Sequence, residues 1–311
     1  KNKAEWLKES LLSWQVEVEK YNENSLPLIK NPIENTGDWT HQYGKADNSS
    51  FGGESLWGSS STTDFEVQWM GRPGPRFQTD RSGRKPSPLA VNGKLFVQGN
   101  ERIIAVNVYN GTVYWSKDFP GLMRMNVTRD CSNWACDDEY LYLAIDNQLH
   151  KVDQQNGDVV SVLPITEYHS GISTWSYIGL VNDQLIGSAS KEDANFTRYH
   201  GGRGWYDAKD GMLSFKVLSD KLFSISKKEN IKTWDYQPKG AIINPTILIA
   251  NGKISFVETR SPNEESMLDG RGGDEIYKNT WLVSLDVKTG QKLWERRVKT
   301  IPGKTSYFKA A

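Results

Sequence analysis

The stretch IIAVNVYNGTVYW, residues 103–115, decides the fold. It begins with β-branched residues and ends with Val113, Tyr114 and Trp115, all residue types that favour strands. Between the two apolar runs stands an Asn-x-x-x-Gly turn formed by Asn107 and Gly111, residues that tolerate tight hairpin geometry. The stretch therefore predicts two antiparallel strands joined by a short turn.

The same arrangement recurs three times: LHKVDQQNGDVVS (149–161), LFSISKKENIKTW (222–234) and LVSLDVKTGQKLW (282–294). The copy at 222–234 matches the pattern most weakly. Each copy follows another hairpin signal, such as Asn92-Gly93 or Asn251-Gly252, and an apolar run lies before that signal. Each unit thus contains four predicted strands in about 45 residues, with an insertion in the third unit, which is typical of a propeller blade. The fold class predicted is all-β, about four four-stranded blades of a β-propeller. A β-sandwich with coincidental hairpins is the alternative.

Composition narrows the possible partners. The 311 residues carry 38 basic and 38 acidic side chains, so no net charge attracts the chain to nucleic acid or to an anionic membrane. No apolar run approaches 18 residues, so no membrane-spanning segment is predicted. We expect an anionic small molecule or a protein as the partner, and no nucleic acid.

The recurring pattern Ala/Ser-x-Asp-x-x-x-Gly-x-x-x-Trp resembles the PQQ-binding-like β-propeller repeat of the quinoprotein alcohol dehydrogenase-like superfamily. The matching residues are Ala105, Asn107, Gly111 and Trp115 in one copy, and Ser284, Asp286, Gly290 and Trp294 in another. The segment 38–49 is similar to the entry of such propellers, and residues 67–69 would then be the strand that closes the ring. The resemblance implies that the recurring tryptophans, Trp69, Trp115, Trp234 and Trp294, pack between blades.

The resemblance leaves the activity open, because it covers quinoprotein dehydrogenases as well as non-enzymatic assembly lipoproteins of the outer membrane. The dehydrogenases use PQQ with Ca²⁺ and a disulfide between adjacent cysteines. Cys131 and Cys136 are not adjacent, and no segment matches the calcium ligands or the catalytic base. PQQ with Ca²⁺ is therefore a possible cofactor without an identifiable site, the catalytic residues are unknown and no metal ligands are predicted.

Residues 1–36 do not fit the repeat. Leu7, Leu11, Trp14 and Val18 have the spacing of an amphipathic helix, which Pro27 and Pro32 would end. We expect residues 1–36 to be a helix and linker, the end of an upstream region. Residues 37–311 are expected to be the blades of an incomplete ring, and the chain an excerpt of a longer protein. Cys131 and Cys136 could form a local disulfide or remain free thiols, and a periplasmic or secreted location is predicted.

Candidate binding residues come from strand order. In a four-stranded antiparallel blade, the loop between the second and third strands opens at the same end as the loop to the next blade. Both long insertions, 191–220 and 259–280, are loops between the second and third strands of a blade. Arginine offers a bidentate fork for carboxylates, so a basic mouth is predicted on this face. Its candidates are Arg72, Arg76, Arg81, Arg84, Arg124, Arg129, His169, Arg198, His200 and Arg203.

Three functions agree with these observations. The first is a ligand- or protein-binding scaffold that acts through the basic, loop-rich face. The alternative is a PQQ-dependent dehydrogenase acting on an alcohol or sugar. The third is a purely structural interaction module within a larger chain.

Overall fold

The computed structural model describes residues 36–55, 59–70, 86–99, 101–122, 133–171, 173–192, 194, 216–261, 267 and 269–300. These residues form eighteen β-strands and four short 3₁₀ turns, at Thr62–Asp64, Ile165–Glu167, Asn244–Thr246 and Asp274–Tyr277. The predicted helix in residues 1–36 lies almost wholly outside the described residues.

The first two repeats are separate four-stranded antiparallel sheets. Blade 1 contains β1 (Leu89–Val91), β2 (Lys94–Gln98), β3 (Arg102–Asn107) and β4 (Val113–Asp118). Blade 2 contains β5 (Trp134–Cys136), β6 (Tyr140–Ile145), β7 (Gln148–Asp153) and β8 (Val159–Pro164). The strands of each blade pair in chain order, as the repeat predicts.

The last two repeats share one larger sheet. Blade 3 contains β9 (Ser173–Val181), β10 (Gln184–Lys191), β11 (Lys216–Ser226) and β12 (Lys232–Tyr236). Blade 4 contains β14 (Leu248–Ala250), β15 (Lys253–Thr259), β17 (Thr280–Asp286) and β18 (Lys292–Val298). The short strand β13 (Ala241–Ile243) pairs with both β11 and β15 and so joins the two blades, and β16 (Arg271–Gly272) pairs with the start of β11.

Turn chemistry explains the regularity of the blades. Asn92, Asn182 and Asn251 open the first turn of blades 1, 3 and 4 with φ of 49°, 50° and 51°, a left-handed conformation that asparagine tolerates. In every blade the pairing of the third and fourth strands shifts register at the equivalent residue, for example between Ala105 and Val106 in blade 1. The four copies are therefore one structural unit repeated, which confirms the all-β propeller prediction.

The hydrophobic cores lie between the blades. One cluster of buried residues combines side chains of blades 1 and 2, a second combines blades 2 and 3, and a third combines blades 3 and 4. Each blade therefore depends on its neighbours for burial, which is the usual logic of repeat proteins.

The recurring tryptophan connects consecutive blades. Trp115 of blade 1 is 7% exposed, and its Nε1 donates a hydrogen bond of 3.0 Å to the Gln154 carbonyl of blade 2. Trp234 makes the equivalent 3.0 Å bond to the Val287 carbonyl of blade 4. Trp69, ahead of blade 1, donates to the Val108 carbonyl at 2.8 Å. The inter-blade role predicted for Trp115 and Trp234 is confirmed, and Trp69 makes the same kind of contact with blade 1.

Each of these indoles lies on a turn glycine of the following blade. A Cβ added at Gly157 would lie 2.8 Å from Cε3 of Trp115, and one at Gly290 would lie 2.6 Å from Cδ2 of Trp234. These glycines also have positive φ, 75° and 68°. Glycine is required there both by the backbone conformation and by the close approach of the ring.

Two expectations are corrected. Trp294 is 43% exposed, because no further blade covers it in the described part of the chain. Residues 65–70 form no strand in the structure, although Trp69 docks as expected.

The junction of blades 2 and 3 differs from the others because Ser161 replaces the tryptophan. Here Tyr168 takes over the polar contact, and its hydroxyl donates to the Asn230 carbonyl at 3.0 Å. Its ring stacks on Phe223, with centroids 5.7 Å apart. A tyrosine from the loop thus replaces an indole from the strand.

Candidate functional site

The blades have two ends with different loops. We call the end with the hairpin turns between the first and second and between the third and fourth strands the turn face. We call the other end, which holds the loops between the second and third strands and the connections between blades, the loop face. The sequence predicts that the candidate binding residues lie in loops of the loop face.

On the turn-face side, residues 39–51 run along the first strands of all four blades, and we call them the axial segment. Trp39 exchanges backbone hydrogen bonds of 2.7 and 2.8 Å with Ala90 of β1. The Thr40 carbonyl accepts the Cys136 N–H of β5 at 2.9 Å, and the Ala46 carbonyl accepts the Ile249 N–H of β14 at 2.8 Å. The segment thus satisfies inner-edge backbone groups that would otherwise be unpaired.

His41 makes the remaining contact, to blade 3. Its Nε2 accepts the Leu180 N–H at 2.9 Å, and its Nδ1 lies 2.8 Å from the Thr40 hydroxyl. The side chain is buried, and burial lowers the pKa of His41 to about 4, opposed by Asp47 and assisted by Lys227. His41 is therefore a neutral imidazole in which Nε2 holds the lone pair. It acts as a structural acceptor, a role that the sequence did not predict.

On the loop face, the insertions of blades 3 and 4 meet. The start of β11 pairs with β16, so that Lys216 lies opposite Gly272 and Val217 opposite Arg271. The Arg271 Nε donates to the Ala194 carbonyl at 2.6 Å, and the Leu218 N–H donates to the Gly270 carbonyl at 2.8 Å. We call this joined structure the insertion platform. The loop of the first insertion is also shorter than the sequence predicts, because β11 begins at Lys216.

His169 is the one predicted site residue that the structure describes. Its Nδ1 lies 2.9 Å from the Ser173 hydroxyl, and its Nε2 lies 3.3 Å from Oδ1 of Asp220. Burial lowers the pKa of His169, although Asp220 opposes the shift. The side chain is 13% exposed, so it supports the loop between blades 2 and 3 and has little surface free for a ligand. The other candidates lie outside the described residues: Arg72, Arg76, Arg81, Arg84, Arg124, Arg129, Arg198, His200 and Arg203.

A buried ion-pair cluster between blades 3 and 4 was missed by sequence reasoning. Glu258 is fully buried and accepts hydrogen bonds from Arg260 at 2.8 Å and from the Tyr236 hydroxyl at 2.9 Å. Arg260 also pairs with Glu295 at 2.7 Å and lies 4.2 Å from the centre of the Trp281 ring. The acidic neighbours outweigh burial and raise the pKa of Arg260. Only the spacing Glu258-x-Arg260 at the C-terminal end of β15 could have indicated the pair.

These carboxylates do not fit a calcium-bound quinone. Such a site needs carboxylate and amide oxygens that converge on one cation. Among the described residues no three histidine, cysteine or acidic side chains converge in that way. Glu258 and Glu295 are engaged by Arg260, and Asp220 faces His169 and Lys191.

Cys136 is a free, buried thiol, and burial raises its pKa well above the ordinary value. Cys131 lies outside the described residues. No helix in the described part of the chain is long and apolar enough to cross a membrane.

Comparison with solved structures identifies the same fold in alcohol and methanol dehydrogenases. The quinohemoprotein alcohol dehydrogenase from Comamonas testosteroni is 14% identical, with a TM-score of 0.55, and the match covers 94% of this chain and 45% of that chain. A europium-containing methanol dehydrogenase is 12% identical, with a TM-score of 0.54 and coverage of 86% and 49%. A quinohemoprotein alcohol dehydrogenase from Pseudomonas putida HK5 is 13% identical, with a TM-score of 0.54 and coverage of 86% and 40%. The chain thus spans about half the length of these proteins or less.

Comparison with curated proteins finds no match. A family model described as outer membrane protein assembly factor BamB matches residues 49–309, which is most of the chain. With the four blades, the docked tryptophans and the turn glycines, this match shows that the chain belongs to the family of PQQ-like β-propellers that this model describes.

Proposed function

We propose that this chain is a binding scaffold for a protein partner, which it holds through the loop face. The observation that carries the proposal is the insertion platform, in which two loops from different blades are fixed to each other by strand pairing. A paired platform presents side chains in a defined arrangement, whereas independent loops would have to be ordered on binding. The description of the family as an assembly factor agrees with a protein partner.

The axial segment supports the choice of face. It occupies the inner edges of the four blades near the turn face, so that side of the axis is already filled by the chain itself. A partner that uses the loops of several blades together therefore approaches from the loop face. We propose that Arg72, Arg76 and Arg84 on this face contact acidic side chains of the partner.

The proposal also covers how the chain is divided into a helical segment and propeller blades. Residues 1–36 would form a helix and linker, and residues 37–311 the blades of a larger ring. The exposed face of Trp294 is equivalent to the faces of Trp115 and Trp234 that the next blade covers, so a further blade would pack on it. Because the family description refers to the outer membrane, we propose a location outside the cytoplasm.

The basic part of the proposal is tested with a triple variant, Arg72→Ser, Arg76→Ser and Arg84→Ser, titrated with a ten-residue polyglutamate peptide by fluorescence anisotropy. We expect the loop-face variant to bind more than tenfold more weakly than the parent protein. The control variant, Lys228→Ser, Lys253→Ser and Lys288→Ser, removes the same charge from exposed positions on the turn face. It is expected to change binding less than twofold at physiological salt, because distant charges are screened.

An equal loss of affinity in both triple variants would contradict a binding site on the loop face. The peptide would then be attracted by the net charge of the protein alone. The dehydrogenase alternative is examined separately by titrating the parent protein with PQQ and Ca²⁺ and following absorbance. Saturable uptake at one equivalent, abolished in the loop-face variant, would contradict the scaffold function.

A further inference from the structure

The outermost strands of the four blades differ in one respect. An outermost strand has a free backbone edge, and proteins usually protect such edges with charged side chains. Three of the four strands follow that rule: β4 with Lys117 and Asp118, β12 with Lys232 and Asp235, and β18 with Lys292, Glu295, Arg296 and Arg297. The strand β8, with the sequence VVSVLP, carries no charge at all.

Three apolar side chains of β8 face solvent, whereas Leu163 is buried. Val159, Val160 and Val162 are 45%, 52% and 40% exposed. Within the described residues β8 pairs with β7 alone, so alternate backbone N–H and C=O groups on its other side have no strand partner. An uncharged, β-branched strand with a free edge is the kind of surface to which an extended peptide adds as a further strand.

A groove beside β8 provides room for a side chain of that peptide. It has a volume of about 290 Å³. Its lining combines uncharged residues with the charged residues Lys117, Asp118 and Asp158; the uncharged ones are Phe119, Pro120, Ile145, His150, Gly157 and Val159. The Nδ1 atom of His150 is buried and has no hydrogen-bond partner in the described part of the chain, while Nε2 lies 3.2 Å from Oε1 of Gln148. Since Gln148 accepts from Nε2, Nδ1 holds the lone pair of the ring. Because Nδ1 is buried, His150 contributes to the groove as part of its wall.

Charge around the strand indicates what kind of peptide fits. Beyond its C-terminal end, Asp146 and Glu167 are exposed acidic side chains. The nearby basic groups are engaged, since Lys117 pairs with Asp158 and the Nζ of Lys151 lies 4.0 Å from the centre of the Tyr140 ring. The ring does not cancel the charge of Lys151, but the two exposed carboxylates outnumber it, so the net charge at this edge is acidic.

We propose that β8 is a docking edge for an extended, β-branched segment of a partner protein with basic residues at its flanks. The segment would add to blade 2 as a fifth strand and place one side chain in the groove near His150. A second copy of this chain fits less well, because its own β8 would bring Asp146 and Glu167 with it. This edge lies on the perimeter of the propeller and does not depend on the loop-face function.

The experiment uses a peptide of five alternating valines and threonines with two lysines at each end, and the same core with glutamates at the ends. Binding is measured by fluorescence anisotropy, and amide hydrogen exchange identifies the segment that becomes protected. The test variant is Val162→Lys, and its control is Ser116→Lys, the equivalent exposed position on β4. Val160→Lys serves as a second test variant, and the unchanged thermal midpoint of each variant verifies folding.

We expect the lysine-flanked peptide to slow exchange at residues 159–163. Its affinity should fall at least tenfold in Val162→Lys and Val160→Lys, and less than twofold in Ser116→Lys. The glutamate-flanked peptide should bind at least tenfold more weakly than the lysine-flanked one.

Three results would overturn the proposal. The first is the absence of binding, or binding that does not slow amide hydrogen exchange at residues 159–163. The second is an equal loss of affinity in the variant and in its control. The third is concentration-dependent dimerisation in sedimentation that Val162→Lys abolishes, because the occupant would then be a second copy of this chain.

Discussion

Replacing Trp115 with alanine is expected to lower the free energy of unfolding by about 3–5 kcal/mol, the usual range for a large buried aromatic side chain. The indole is 7% exposed and packs on Gly157 of the next blade, with the Phe96 ring 6.0 Å away between centroids. Its removal would leave a cavity at the junction of blades 1 and 2, and the Gln154 carbonyl would lose a donor. Urea unfolding followed by far-ultraviolet circular dichroism measures the change.

The matched control is Trp294→Ala. Trp294 occupies the same position of the repeat but is 43% exposed, so we expect its removal to cost less than about 1 kcal/mol. Equal losses in the two variants would contradict the conclusion that this tryptophan stabilises the protein through the following blade. In a longer protein in which another blade covers Trp294, the two losses should become similar.

Acid is expected to destabilise the protein by about 3 kcal/mol between pH 7 and pH 4 through His41 alone. The folded pKa of His41, about 4, lies below the value of 6.5 expected for the unfolded chain. Below pH 6.5 the unfolded state therefore binds a proton that the folded state does not, and stability falls as the pH decreases towards 4. Protonation of Nε2 would also remove the acceptor of the Leu180 N–H.

The change His41→Gln isolates this contribution. Glutamine can offer an oxygen to the Leu180 N–H and does not titrate in this range. Carboxylates with lowered pKa, such as Asp137 and Asp235, add acid sensitivity to both proteins, so the difference between the two pH profiles belongs to His41. Parallel profiles from pH 7 to pH 4 would contradict a buried neutral imidazole.

The blades could be predicted because their signals are local. Asn92-Gly93 or the run from Asn107 to Trp115 determines a turn and two strands within a few residues, and repetition removes the ambiguity of any single copy. The docking of Trp115 on Gly157 follows from the same pattern, since the tryptophan and the glycine positions are each occupied in three of the four copies.

The axial segment and the candidate site could not be predicted in the same way. Thr40 and Ala46 contact the blades through backbone carbonyls, which leave no side-chain pattern, and His41 looks like any other histidine in the sequence. The insertion platform depends on β16, a strand of two residues, which is too short to show a period. All of the predicted arginines lie in segments outside the described residues, so the basic mouth remains a prediction.

The axial segment has a consequence for biosynthesis. The hydrogen bond from Asn48 to the Ile247 carbonyl spans 199 residues, which a ribosome needs roughly 10–40 s to translate at about 5–20 residues per second. During that delay the segment can contact Ala90, then Cys136, then Leu180, in the order in which they emerge. The nascent polypeptide therefore carries its own template, and each newly translated sheet is added to an assembly that already holds the preceding ones.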